Sequence, residues 1–375
     1  MVVYQLLATI SFGDAVSNDT LALQEIIKKM GYKTAIFAEN IDSRIPKGTA
    51  KNYSKFGRVD KNDIIIYHLS TGSKISRDFD KFKCRKIIIY HNITPPDYFK
   101  DYNDGSYRIC KKGYEEVKSL ADKTDYCIAV SEYNKQNLRE MGFTCPIDVL
   151  PILIPFEDYD KKPNEEVIRK YSDDGWVNVL FTGRIAPNKK QEDVIRAFAY
   201  YKKYYNPKSR LFLVGSSGGM ERYHRRLISY INALGVRDVI FPGHIKFDEI
   251  LAYYRVADVF LCQSEHEGFC VPLVEAMKFA VPIVAYDSSA IAGTLGGSGI
   301  LMKEKNPVLT AGVIDRVVKD EELRNSIIAG EKKRLEDFDN EKQSDEYYHK
   351  YKNYKVYDVL DKKYKNEYNK YKKEK

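Results

Sequence analysis

The sequence predicts an α/β protein made of two doubly wound domains, and three observations carry that prediction. Short apolar runs rich in β-branched residues recur along the chain, each followed by a longer stretch of helical periodicity. The runs are continuously apolar rather than alternating, the pattern of parallel strands covered by helices on both faces. With 375 residues the chain exceeds one ordinary core, so two domains are expected.

Taken in order, the expected strands of the first half are VVYQLLATI (2–10), TAIFA (34–38), DIIIYHL (63–69), KIIIYH (86–91), YCIAVS (126–131) and DVLPI (148–152). The polar segment FEDYDKKPNEEVIRKYSDDGW (156–176) then reads as a linker with a short helix. The second half offers VNVLFTG (177–183), RLFLVG (210–215), VIFPG (239–243), VFLCQ (259–263) and PIVAYD (282–287). These runs set a first domain at 1–165, a second at 166–342 and a Tyr/Lys-rich segment at 343–375. In that last segment Tyr357, Leu360, Tyr364, Tyr368 and Tyr371 fall at helical spacing among lysines. A helix packed on the body and a basic amphipathic helix on an anionic membrane both satisfy this pattern. Doubly wound sheets bind ligands at the carboxyl ends of their strands, here expected in a cleft between the two domains.

Composition narrows the function classes. The chain is 43% hydrophobic and 13% aromatic, which excludes an intrinsically disordered protein. Its net charge of +8, from 61 basic and 53 acidic residues, is modest and dispersed. An anionic small substrate or an acidic membrane face suits it at least as well as nucleic acid, which is not an expected partner. Cys84, Cys110, Cys127, Cys145, Cys262 and Cys270 show no metal-ligand or CxxC spacing and read as free thiols of a reducing compartment. The first residues carry no basic n-region or cleavage site, and no run reaches the roughly 18 apolar residues of a membrane span. A cytoplasmic protein, peripheral to the membrane at most, is expected.

Two stretches carry chemistry. FTGRIAPNKKQEDVIRAF (181–198) follows a strand and opens a helix, with Arg184 at the strand end, Pro187 in the turn and Lys189 beyond it. Two cations beside helix N–H groups suit a diphosphate; a basic turn capping the sheet is the plain structural alternative. HEGFCVPLVEAMKFAVPIVAYD (266–287) holds Glu267 and Glu275. A continuous helix would separate them by about 12 Å, but Gly268 and Pro272 favour a loop followed by a helix starting at Pro272. Glu275 then falls in the first helical turn, where the dipole stabilises it. Glu267 follows a strand, where ligands gather.

The spacing in EGFCVPLVE resembles the EX7E motif of GT4-family retaining glycosyltransferases of the GT-B fold. GRIAPNKK resembles their GRxxxxKG phosphate-binding segment, and AVSEYNKQNL and VLPILIPFEDY resemble the end of their first domain. The order and spacing match from about residue 2 to 345. The resemblance implies two Rossmann-like domains and transfer of a sugar, with retention, from a nucleotide-diphosphate sugar to a glycan or lipid-linked acceptor. No obligatory metal or other cofactor is implied, and a UDP-sugar is favoured slightly over a GDP-sugar. By position, Arg184 and Lys189 would neutralise the leaving diphosphate, Glu267 and the backbone of Gly268, Phe269, Cys270 and Val271 would hold the sugar, and Glu275 would accept from the ribose hydroxyls. His91 matches the first-domain histidine near the donor sugar. Gly13 matches the glycine loop near the phosphates, Gly183 lies in the phosphate segment, and Gly243 and His244 lie near the base.

The sequence departs from the family at three points. Lys190 stands where a glycine follows the lysine, so Lys189 or Lys190 could be the phosphate partner, with register favouring Lys189. Cys270 replaces a frequent glycine, and FGD replaces a double-glycine loop. The triplets Asp78-Phe-Asp80, Asp158-Tyr-Asp160 and Asp337-Phe-Asp339 read as surface charge rather than metal ligands. His68 is either an acceptor-side residue or a satisfied buried histidine. A nucleotide-sugar epimerase, a phosphorylase or a catalytically silent nucleotide-sugar-binding subunit are the competing readings.

Overall fold

β-Branched residues prefer the pleated backbone, and each apolar run named above overlaps a strand of the computed structural model, which describes residues 1–339. The Tyr/Lys-rich segment expected to form a terminal helix lies outside the described residues. The chain divides into two compact units, one of residues 1–93, 111–155 and 338–339, the other of 94–110 and 156–337.

The first unit holds seven strands: β1 Val2–Ile10, β2 Lys33–Ile41, β3 Lys51–Asn52, β4 Ile64–Leu69, β5 Arg85–Tyr90, β6 Tyr126–Ala129 and β7 Ile147–Val149. They pair in parallel in the order β3-β2-β1-β4-β5-β6-β7. Every residue of β4 is buried, the burial on both faces that its unbroken apolar run demands. The strand order reverses between β1 and β4, so a crevice opens at their carboxyl ends. Two-residue β3 is too short to show a pattern in the sequence.

The second unit holds β8 Val177–Thr182, β9 Ser209–Val214, β10 Val239–Gly243, β11 Val259–Cys262, β12 Ile283–Tyr286 and β13 Ile300–Met302. These are also parallel, in the order β10-β9-β8-β11-β12-β13, and the reversal falls between β8 and β11. Where β8 and β9 end, their backbones nearly touch: a Cβ on Gly215 would lie 2.0 Å from the Gly183 carbonyl oxygen. The linker forms two short helices, Phe156–Tyr159 and Glu165–Tyr171, the second capped by the Asn164 side chain. Residues 94–110, though early in the chain, pack here. Phe99 is 5% exposed in the core, and the Asn103 side-chain amide donates to the Gly219 carbonyl at 2.6 Å. Among the described residues no helix is long and apolar enough to cross a membrane.

Candidate functional site

Because β8 and β11 are hydrogen-bonded neighbours, the loops that leave their carboxyl ends lie side by side. Lys189 closes a 3-10 turn, Pro187–Lys189, in the first loop, and Glu267 sits in the second. Their side chains meet at 2.5 Å, Lys189 Nζ to Glu267 Oε2, across 78 residues of sequence. The loops are laced together besides: the Asn188 side-chain amide donates to the His266 carbonyl at 3.0 Å, and the Glu265 N–H donates to the Asn188 carbonyl at 2.9 Å. The Glu267 N–H donates to Ser289 Oγ at 2.8 Å. Burial disfavours the Lys189 ammonium, but Glu267 beside it prevails and holds its pKa above the usual lysine value.

The two departures from the family pattern in this unit share one backbone property. Lys190 (φ +51°) and Cys270 (φ +76°) both occupy the left-handed region, where glycine is otherwise preferred. Lys190 faces a different carboxylate from Lys189: its ammonium lies 3.3 Å from Glu265. Glu265 also accepts from Lys305 at 2.8 Å and from the Tyr98 hydroxyl at 3.2 Å.

The helix after the Glu267 loop is Val271–Lys278. It opens one residue before the expected Pro272, which places Glu275 beyond the first turn, so the helix dipole does not explain it. Two phenols hold Glu275 instead, Tyr159 donating to Oε1 at 2.8 Å and Tyr254 to Oε2 at 2.6 Å. Burial raises the Glu275 pKa, and these two hydrogen bonds restrain the rise. Tyr254 in turn lies 2.5 Å from Thr182 Oγ1, which ties Glu275 to the end of β8.

The remaining expected residues are placed unevenly. Arg184 is exposed and donates to the Gly218 carbonyl at 3.2 Å, so it and Lys189 have different partners. Gly183 sets its carbonyl against the position a Cβ on Gly215 would occupy, so the requirement for glycine falls on Gly215. Gly268 lies between Glu267 and Phe269, whose ring is buried and whose carbonyl accepts from Thr294. Val271 opens the helix, where first-turn N–H groups have no acceptor within the helix. Gly243 (φ +81°) ends the edge strand β10, and His244 is exposed just after it.

Gly13 and His91 belong to the first unit. Gly13 (φ +73°) turns the chain after β1 into the helix Ala15–Lys29, whose cap is the Asp14 side chain. His91 follows β5 and is buried against His68 of β4, with His68 Nδ1 and His91 Nε2 3.1 Å apart. Asp19 Oδ2 lies 3.6 Å from His91 Nε2 and 3.9 Å from His68 Nδ1. Burial pushes His91 down to about 3 and raises Asp19 to about 7. His68 is therefore a buried, hydrogen-bonded histidine. Tyr159, Tyr254, Ser289 and Asp19 had no sequence signal, since each lies in a run that reads as helix, linker or loop.

Two clusters have donor sets that could hold a cation, Asp19–His68–His91 and Cys262–Glu267–Cys270, each with its donor atoms within 4.8 Å of one another. The acidic triplets are tied into ion pairs: Asp78 with Lys81, Asp80 with Lys123, Asp160 with Lys278 and Asp337 with Arg334.

Residues 164–334 match the family described as "Glycosyl transferases group 1". Over 161 residues the chain is 32% identical to an uncharacterized glycosyltransferase of Methanocaldococcus jannaschii, covering 41% of this chain and 39% of that protein. It is 32% identical over 164 residues to the D-inositol 3-phosphate glycosyltransferase of Acidothermus cellulolyticus, covering 42% and 36%. The matched stretch thus spans less than half the length of these curated relatives. Among solved structures, sucrose-phosphate synthase from Thermosynechococcus elongatus superposes with a TM-score of 0.73 at 16% identity, covering 94% of this chain and 99% of that one. Anabaena HepE in complex with UDP-glucose gives 0.71 at 18%, covering 94% and 100%. At these identities the likeness is one of fold: two parallel Rossmann-like sheets of the GT-B type.

Proposed function

We propose that the chain is a retaining glycosyltransferase that moves a sugar from a nucleotide-diphosphate sugar to a glycan or lipid-linked acceptor without a metal. The observation that carries this reading is the meeting of Lys189 with Glu267 at the β8–β11 reversal, beside the open amino end of the helix Val271–Lys278. Cation and amide dipoles offer stabilisation for a departing diphosphate, and an ammonium already in place needs no reorganisation during transfer. Glu267 orients that ammonium and has carboxylate lone pairs left for sugar hydroxyls. Glu275, steadied by Tyr159 and Tyr254, keeps acceptor capacity for a ribose diol. Arg184, exposed two residues beyond β8, supplies further positive charge. The first donor to try is a UDP-sugar, because HepE, of the same fold, was solved with UDP-glucose.

Thermal midpoints measured with UDP, GDP and their sugars test the reading, since a ligand of the folded state raises the midpoint. At least one nucleotide sugar should raise it in the wild-type protein, and Glu275→Ala should abolish that rise. Arg184→Ala should lower turnover more than donor affinity, because charge builds on the diphosphate during transfer. No shift with any nucleotide or nucleotide sugar would overturn the proposal. Turnover that chelation abolishes and only added metal restores would overturn its metal-free part.

A further inference from the structure

The loop that carries Glu267 has a thiol at each end. Cys262 is the last residue of β11, and Cys270 immediately precedes the helix Val271–Lys278. The loop folds back between them, so the two Sγ atoms and a Glu267 carboxylate oxygen all lie within 4.8 Å of one another. All three side chains are buried, Cys262 at 1% and Cys270 and Glu267 at 7% exposed. The turn is held from outside by the Glu265 N–H on the Asn188 carbonyl and the Glu267 N–H on Ser289 Oγ. The three donors are thus brought together by the fold itself. Cys270 holds φ +76°, where glycine costs least, so a thiol is kept at this position against the preference of the backbone.

Two thiolates and a carboxylate form a donor set for zinc and other thiophilic cations, whereas magnesium and calcium prefer oxygen alone. With Zn–S about 2.3 Å and Zn–O about 2.0–2.2 Å, donors around one tetrahedral ion stand about 3.5–3.8 Å apart. A span of at most 4.8 Å therefore needs only a small inward movement of the side chains. Binding would replace two S–H bonds with two metal–sulfur bonds and release two protons to solvent, with nothing oxidised or reduced. The ion, two thiolates and one carboxylate together carry a single negative charge. The Lys189 ammonium, 2.5 Å from Glu267 Oε2, cancels it. A contacting group of buried charges that sums to zero escapes the cost of an isolated one. The carboxylate has two oxygens, so holding the ion and holding Lys189 do not exclude each other.

We infer that Cys262, Cys270 and Glu267 together bind a thiophilic divalent cation of the zinc class, and that the bound ion inhibits the chain by occupying the Glu267 carboxylate. The inhibition rests on the glycosyl-transfer reading; the binding of the ion does not. Such an ion is not a cofactor of the transfer. It removes from use the carboxylate that orients Lys189, and it fixes the loop that opens the helix Val271–Lys278.

Cobalt(II), whose absorption reports its donors, tests the site when added to the full chain under a thiol-free reductant. The wild-type protein should show intense thiolate-to-cobalt absorption with the visible bands of a tetrahedral ion, and zinc should displace the cobalt. Cys262→Ala and Cys270→Gly should each weaken binding at least about 100-fold, the most that even an outer-shell change costs a metal site. Cys270→Gly is the safer of the two for folding, because its backbone favours glycine. Cys127→Ala should bind as the wild type does, although Cys127 and Cys145 also bring two thiols to 3.6 Å. Lys189→Met should weaken the ion, since its charge is then no longer cancelled; tighter binding would mean that Lys189 and the ion compete, and would overturn the neutral arrangement. Absorption without thiolate character, binding kept in Cys270→Gly, or binding lost in Cys127→Ala would overturn the site. Saturating zinc should lower wild-type turnover about 100-fold, comparable to losing one preorganised group, and a chelator should restore it. Cys270→Gly, measured against its own metal-free rate, should resist zinc, and equal inhibition of both proteins would overturn the inhibitory role. If no nucleotide sugar is turned over, the function proposed above is wrong, and the cobalt spectrum still decides the site.

Discussion

The Lys189–Glu267 contact makes a quantitative claim. Replacing Lys189 with Met keeps the length of the stem and removes the charge that Glu267 faces at 2.5 Å. The Glu267 side chain is 7% exposed and has no solvent shell to replace the lost ammonium, whereas the Lys189 side chain is 22% exposed and admits some water. Removing one partner of a fully buried pair costs about 3–5 kcal/mol, and partial access of water reduces this to about 2 kcal/mol. At about 2–4 °C per kcal/mol, the thermal midpoint should fall by about 4–8 °C. The sign with pH follows from the raised pKa of Lys189: the pair is intact below the ordinary lysine value and is lost only as pH rises through the higher folded value. The difference should therefore be level between pH 7 and 9. Urea unfolding of wild-type, Lys189→Met, Glu267→Gln and the double variant closes a mutant cycle. The double variant should recover part of the loss, because neither orphaned partner then remains buried. A Lys189→Met protein as stable as the wild type, or a double variant that loses the sum of the two single losses, would refute the view that each group is held by the other.

Other expectations concern groups away from that pair. Glu331 is fully buried, its Oε1 accepts from the Ile283 N–H at 2.9 Å, and burial raises its pKa from 4.5 to about 8. Its carboxyl is therefore most favourable below pH 4.5 and loses stabilisation as pH climbs toward 8. Glu331→Gln should flatten the thermal midpoint across pH 5–8 and raise it relative to wild type at pH 8, and an unchanged pH profile would count against a buried neutral acid. Lys190 at φ +51° predicts a different contrast. Lys190→Gly should be more stable than Lys190→Ala by about 1 kcal/mol, since only glycine escapes the left-handed penalty. Equal unfolding midpoints in urea would show that the loop relaxes.

The sheets were legible because strands buried on both faces must be apolar throughout, and β1, β4 and β8 are long enough to show it. β3 and β13 were not, since two or three residues have no period of their own; three-residue β7 showed only because the apolar run DVLPI overlaps it. Single loops could also be read, as Pro272 and Gly268 marked the turn before Glu275. What the sequence did not disclose was which loops touch. Lys189 and Glu267 meet only because β11 returns to pair with β8, and strand order is a property of the whole sheet. The same applies to Tyr159, which leaves an apparent linker to reach Glu275, and to Asp19, which reads as one polar residue in a helix. Lys190 and Cys270 looked like departures from a glycine pattern, while the backbone they occupy explains why glycine is common there.

Phe99 gives the second unit a debt to the first half of the gene. The family match begins at residue 164, and a dissection guided by it would start a fragment at the linker. Such a fragment would lack Phe99 from its core, the Asn103 amide on the Gly219 carbonyl and the Tyr98 hydroxyl on Glu265. An aromatic side chain missing from a packed interior costs about 3–5 kcal/mol, a large share of what holds a domain together. The segment recognisable as a sequence family is therefore shorter than the compact unit it belongs to. Residues 94–110, supplied as a separate peptide, should bind and stabilise the shortened fragment.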